Sequence, residues 1–266
     1  MARTIRAEYQ VFDEEDALNR AAAEHLVQGI QAAVAARGVA RIALSGGNSP
    51  KPVFALLASP DAPYRKAVPW DRLWVFWVDE RCVPPGHPES NYGAARELLL
   101  EKVPLPPEHV IRIEGELPPA EAAARYESAI RGHFRLEGAE VPIFDVVHLG
   151  MGPDGHTASL FPHTEALQEM GRIVVANVAP QQKQSQRVTL TWPVINAGRD
   201  VFFLIDGADK ADPLGRILRG PYEPETLPSQ LIQPRSGRLL FLLDRAAAAD
   251  LPARDAQGRG LLEIER

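Results

Sequence analysis

The chain has one cysteine, Cys82, so no intramolecular disulfide can form and the expectation is a fold held by its own core in a reducing compartment. It has no run of lysine or arginine, and lysine is scarce. With Lys+Arg 29 against Asp+Glu 35 the net charge is −6. That balance does not suit a whole-protein field for nucleic acid or an anionic membrane, although it leaves room for a local basic site for a small anion. No uninterrupted apolar stretch approaches the roughly 20 residues that span a bilayer. The opening "MARTIRAEYQVFDEEDAL" lacks the apolar core of a secretory signal. Internal repeats and low-complexity linkers are also missing. The proline-rich stretches "VPLPPEHV" and "RGPYEPETLPSQLIQP" are short and read as surface connections. These absences lead to the expectation of a soluble cytoplasmic protein with no nucleic-acid or membrane partner.

What is present is a chain of 266 residues, 45% hydrophobic and 24% charged, long enough to bury a continuous core. "DEEDALNRAAAEHLVQGIQAAVAARG" reads as a helix, with Asp13 as cap, acids in its first turn and Gly38 at its end. "VARIAL" then reads as a buried strand, "SGGNSPK" as a break and "PVFALLAS" as a helix. The rhythm repeats through strands "LWVFWV", "VIRI", "IFDVVHL", "RIVVANV", "VFFLI" and "GRLLFLLD". Helices in "NYGAARELLLEK", "PPAEAAARYESAIRGHF" and "GADKADPLGRILRG" lie among them. Continuous apolar strands alternating with helices predict a mostly parallel central sheet flanked by helices, in one α/β domain over residues 1–266.

In open α/β sheets ligands bind beyond the carboxyl ends of the strands. Three loops there are unusual. "LSGGNSPK" sets Ser45, Gly46 and Gly47 between a strand and a helix N-terminus. That suits phosphate, or equally a glycine-rich turn capped by Ser45. It is neither a Walker loop nor a dinucleotide fingerprint. "VDERCV" puts Asp79, Glu80 and Arg81 at the end of a buried strand. They read either as an internal ion pair or as an arginine held by adjacent acids and aimed at an anionic substrate. "GMGPDGHTASLFP" holds Asp154 and His156 one glycine apart. They read as a carboxylate orienting a proton-carrying imidazole, or as a capping aspartate and a structural histidine. Ser45 lacks a nucleophile elbow, Cys82 lacks a catalytic setting, and neither H-E-x-x-H nor paired cysteines support zinc. Arg187 and Lys210 are cations near strand ends, solvated unless a phosphate is expected.

Taken in order, "LSGGNSP", "WVDERCVPPGHPESNYGAARELLL", "FDVVHLGMGPDGHTASLFP", "RVTLTWPVINAG" and "DGADKA" resemble the 6-phosphogluconolactonase family. More distantly they resemble the glucosamine-6-phosphate isomerase/deaminase family. The resemblance runs from about residue 10 to about residue 245. It implies a Rossmann-like three-layer sandwich and hydrolysis of 6-phospho-D-glucono-1,5-lactone to 6-phosphogluconate in the oxidative pentose phosphate pathway. It also implies a small-molecule substrate, no metal and no organic cofactor, and it leaves a monomer or a small homo-oligomer open. The deaminases carry a relay glutamate where this chain has Phe161, which favours the lactonase. Asp79 matches the deaminase residue that moves a proton at C2 and does not discriminate. The runner-up is glucosamine-6-phosphate deaminase/isomerase. A non-catalytic sugar-phosphate sensor is a further alternative, though no helix-turn-helix segment is appended.

On this resemblance His156 takes a proton from the attacking water and returns it to the departing ring oxygen, while Asp154 holds the imidazole. Arg81, or N–H groups of the glycine loop, stabilises the oxyanion. The 6-phosphate rests on Ser45, Gly46 and Gly47, with Arg187 and Lys210 as further candidates and Asp79 in the substrate site.

Overall fold

A computed structural model describes residues 4–179, 182–252 and 254–265. The strands are β1 (Thr4–Phe12), β2 (Ala40–Leu44), β3 (Leu73–Trp77), β4 (Asp79–Arg81), β5 (Val146–Leu149), β6 (Val174–Val178), β7 (Gln186–Leu190), β8 (Asp200–Ile205), β9 (Arg238–Asp244) and β10 (Arg259–Glu265). The α-helices are α1 (Glu15–Arg37), α2 (Pro50–Ala58), α3 (Tyr64–Ala67), α4 (Asn91–Leu98), α5 (Pro119–Phe134), α6 (Trp192–Ile195) and α7 (Ala211–Arg219). Seven strands form a sheet in the order β10-β1-β9-β8-β5-β2-β3, parallel except for β10. Helices cover this central sheet, as expected of an α/β sandwich. A separate antiparallel sheet, β4-β7-β6, was not anticipated.

The inner strands of the main sheet form because each is mostly a run of buried apolar residues; β5 is buried along its whole length. Covering such a strand on both faces stabilises each large side chain by about 1.5–3 kcal/mol. α1 supplies part of that cover through Leu18, Ala22, Leu26, Ile30 and Ala33, spaced three or four apart on one stripe. α5 guards the open edge at β3. The buried hydroxyl of Tyr126 accepts from the Trp77 N–H and donates to the Trp77 carbonyl, both at 2.8 Å.

Three local expectations change. Asp13 does not cap α1: Glu14 holds the cap position without a side-chain hydrogen bond, and Asp13 instead pairs with Arg245 at 2.5 Å. "VIRI" is too short and isolated to make a strand and leaves one bridge, Val75 to Val110. β1 and β10 add an antiparallel edge that the sequence reading passed over, although β1 alternates exposed and buried residues. Gly38 does end α1, in the left-handed conformation. Among the described residues no helix is long and apolar enough to cross a membrane.

Candidate active site

From β2 the chain moves outward to β3, whereas from β5 it moves the other way to β8. The loops that follow β2 and β5 therefore part above the sheet, and a crevice opens at this switch point. It contains a cavity of about 530 Å³. Seven of the nine residues expected from the sequence line it: Ser45, Gly46, Gly47, Asp79, Arg81, His156 and Lys210. Asp154 and Arg187 are not among its described lining residues.

The loop after β5 folds back on itself. The Gly152 N–H donates to the His156 carbonyl at 2.9 Å, and Thr157 Oγ1 donates to the Gly150 carbonyl at 2.8 Å. This turn brings His156 Nδ1 to 2.5 Å from Asp154 Oδ1, and the His156 N–H adds a 3.2 Å bond to the same oxygen. Glycine is required at 152, because a Cβ there would lie 2.1 Å from the His156 ring. The loop is pinned on both sides. Ser229 Oγ donates to the Gly155 carbonyl at 2.8 Å, and Ser159 Oγ donates to Asp79 Oδ2 at 2.6 Å. Burial works against a charge on Asp154, but the hydrogen bond and charge of His156 outweigh it and hold the carboxyl below its usual range. Asp154 lies on the far side of the imidazole, lining a neighbouring cavity of about 370 Å³ with Phe161, Pro162 and Arg216. It therefore reaches the main cavity through His156.

β4 separates its charges by strand alternation. Glu80 is not among the described residues lining the cavity and does not pair with the Arg81 guanidinium, contrary to the sequence expectation. Glu80 instead accepts from the N–H groups of Arg81, Asn91 and Tyr92, each at 2.8 Å, and from Ser90 Oγ at 3.1 Å. It thereby occupies the N-terminus of α4. Burial pushes its pKa up to about 7, against the pull of those N–H groups. Arg81 is held by the Glu89 carbonyl, which accepts from Nη1 at 2.8 Å, while its buried Nε has no partner among the described residues.

Arg187 lies opposite Arg81 in the β4–β7 register, so the two side chains share a face. It is 3% exposed, stands 5.9 Å over the Phe161 ring, and its Nε also lacks a partner among the described residues. Burial, and then the charge of Arg81, lower its pKa. Across the cavity, Lys210 contacts Asp209, and Ser49 of the loop after β2 donates to Asp206 of the loop after β8. The contact between Ser49 and Asp206 ties the two walls together.

Among the lining residues that sequence reasoning missed are Asn91 and His148. Asn91 donates to the Asp79 carbonyl at 3.0 Å and leaves its buried Oδ1 without a partner among the described residues, pressed against Gly46. His148 is a polar residue inside the apolar run of β5, which was the signal available. Among the described residues, no group of three or more His, Cys, Asp or Glu is placed to hold a metal ion.

Residues 13–241 match the model of a family described as glucosamine-6-phosphate isomerases/6-phosphogluconolactonase. A 6-phosphogluconolactonase of Nostoc sp. is 39% identical over 243 residues, covering 91% of this chain and 97% of the relative. The 6-phosphogluconolactonase of Homo sapiens is 41% identical over 239 residues, covering 90% and 91%. The solved structure of 6-phosphogluconolactonase from Trypanosoma cruzi is 31% identical with a TM-score of 0.82, covering 95% of this chain and 99% of that one. The chain belongs to the family of glucosamine-6-phosphate isomerases and 6-phosphogluconolactonases.

Proposed function

We propose that this chain hydrolyses 6-phospho-D-glucono-1,5-lactone to 6-phosphogluconate, the reaction named for its relatives, by water attack assisted by His156. The observation that carries the mechanism is the 2.5 Å contact between Asp154 and His156 Nδ1 at the wall of the cavity. With Nδ1 given to the carboxylate, Nε2 is the nitrogen free to act as a base. In this reading Nε2 takes a proton from water as the water oxygen bonds to the lactone carbonyl carbon. The carbonyl electron pair moves to oxygen. When the tetrahedral carbon collapses, the bond to the ring oxygen breaks, and His156 returns the proton to that oxygen. Asp154 keeps the ring oriented and stabilises its charged form.

Arg81 is the better candidate for the oxyanion. The Gly152 N–H is spent on the His156 carbonyl and the Gly155 N–H on the Gly152 carbonyl, whereas Arg81 has donors to spare. The phosphate would rest on Ser45, Gly46 and Gly47, with Lys210 beside it. Arg187, which does not line the main cavity among the described residues, would act on the anion at longer range. Asp79, locked by Ser159 and Asn91, would meet ring hydroxyls and move no proton at C2. Phe161 stands where the deaminases carry their relay glutamate, and this favours a lactone over glucosamine 6-phosphate. The same reading takes residues 1–266 as one cofactor-independent domain, working in the cytoplasm as a monomer or small homo-oligomer.

The test follows lactone made in situ from glucose 6-phosphate against its spontaneous decay, with chelator present, for wild type and His156→Ala. Acceleration by wild type and a loss of roughly 10²–10⁴-fold in kcat for the variant are expected. No acceleration by wild type overturns the reading, and ammonia release from glucosamine 6-phosphate would identify the deaminase.

A further inference from the structure

His148 is 2% exposed, and its Nδ1 is buried without a hydrogen-bond partner among the described residues. The neighbouring positions show how unusual it is. Every other residue of β5 is Val or Leu, and across the β5–β8 register His148 faces Phe202, on which its ring stacks at 4.9 Å. A leucine would suit these surroundings, whereas an imidazole nitrogen buried there without a hydrogen-bond partner is destabilising. Burial, then the charge of His25, push its pKa down to about 3, so the ring is neutral and carries one N–H donor and one acceptor.

What makes this residue more than a core histidine is its place at the cavity. β5 lies between β2 and β8. The pairs Ile42–Val146 and Ala43–Val147 set His148 just below the point where β2 gives way to Ser45. On the other flank β8 runs on into the loop that carries Lys210. A group held jointly by the loop after β2 and the loop after β8 must lie over the end of β5, and His148 is the β5 side chain that lines the cavity there.

We propose that His148 is a substrate-binding residue whose ring N–H donates from the cavity floor to the phosphate of the sugar-phosphate lactone. The inference rests on the function proposed above, in which that phosphate bridges the two loops. A neutral donor adds affinity and orientation without adding charge, and it has no part in the proton transfers at His156.

The variants are His148→Leu, which fits the apolar surroundings, and His148→Gln, which keeps a donor. Both are checked for native circular dichroism and compared with wild type in lactone hydrolysis, in inhibition by inorganic phosphate and in calorimetric titration with 6-phosphogluconate. For His148→Leu, the KM, the phosphate inhibition constant and the product Kd are each expected to rise about tenfold, with kcat within about twofold. His148→Gln should recover part of the loss. A folded His148→Leu protein that keeps all three constants overturns the proposal, as does a raised KM with unchanged phosphate inhibition, because the contact would then be with the sugar. Should both variants fail to fold, ring ¹⁵N signals of wild-type His148 must move on addition of inorganic phosphate, and unmoved signals overturn it. A wild type that hydrolyses no lactone would refute the proposed reaction, and the phosphate and product titrations would still decide on His148.

Discussion

The imidazole of His156 rests on the ring of Phe161, with centroids 4.3 Å apart and planes inclined at 34°. The guanidinium of Arg187 stands 5.9 Å from the centroid of the same ring. One aromatic ring thus fixes the tilt of the proposed base and neighbours the buried cation. Phe161→Leu keeps an apolar side chain but removes the flat support. The expected result is a fall in kcat of about tenfold with KM little changed, and a loss of about 1–2 kcal/mol in stability. Steady-state kinetics and urea unfolding read the two effects separately, and a variant with normal kcat would leave Phe161 with packing alone.

Asp154 makes a sharper case, because it touches the imidazole and does not line the main cavity. Asp154→Asn preserves shape, but an amide can donate to Nδ1 and so favour the tautomer with the proton on the wrong nitrogen. A fall in kcat of about 100-fold or more, with KM within about twofold, is expected from lost orientation and tautomer control. A rise in KM with unchanged kcat would mean that Asp154 binds substrate directly.

Lys210 should behave in the opposite way. Its ammonium is half-buried at the cavity wall against Asp209. A charge-assisted hydrogen bond to phosphate is worth roughly 1.5–3 kcal/mol, so Lys210→Ala is expected to raise KM by about 10–100-fold while kcat changes little. Added salt should weaken substrate binding to wild type more than to the variant. Normal KM in the variant would remove Lys210 from the phosphate site.

Much of this arrangement could be read from the residues, and the exceptions share a cause. The glycine loop announced itself because Asp154-Gly155-His156 is local: three consecutive residues set the geometry, and the contact forms within one turn. Strands β2, β3, β5, β8 and β9 were evident because burial leaves a largely apolar run. The role of Glu80 was hidden because it depends on alternation along a three-residue strand and on a helix that begins eleven residues later. Adjacent opposite charges suggest an ion pair on paper, yet a strand turns neighbours to opposite faces. The partnering of β4 with β7 is equally non-local, and so is the approach of Arg187 to Arg81. His148 was absorbed into a strand assignment that its own polarity contradicted.

Glu80 allows a test of the fold that does not depend on the reaction. Its pKa is raised from 4.5 to about 7, first by burial, with backbone N–H groups of α4 opposing. A carboxyl whose pKa is higher in the folded state holds its proton more tightly there. Its favourable contribution is therefore fully present below the unfolded value and is lost as pH rises through about 7. Glu80→Gln does not titrate at this position, so the difference in unfolding free energy between wild type and variant isolates Glu80, other groups cancelling. Wild type should lose about 3 kcal/mol relative to the variant between acid and mildly alkaline pH, measured by urea unfolding across that range. A difference that stays flat would mean that the carboxyl is not buried as described. A difference of opposite sign would mean that the backbone N–H donors of Arg81, Asn91 and Tyr92 dominate over burial and hold Glu80 as an anion at neutral pH.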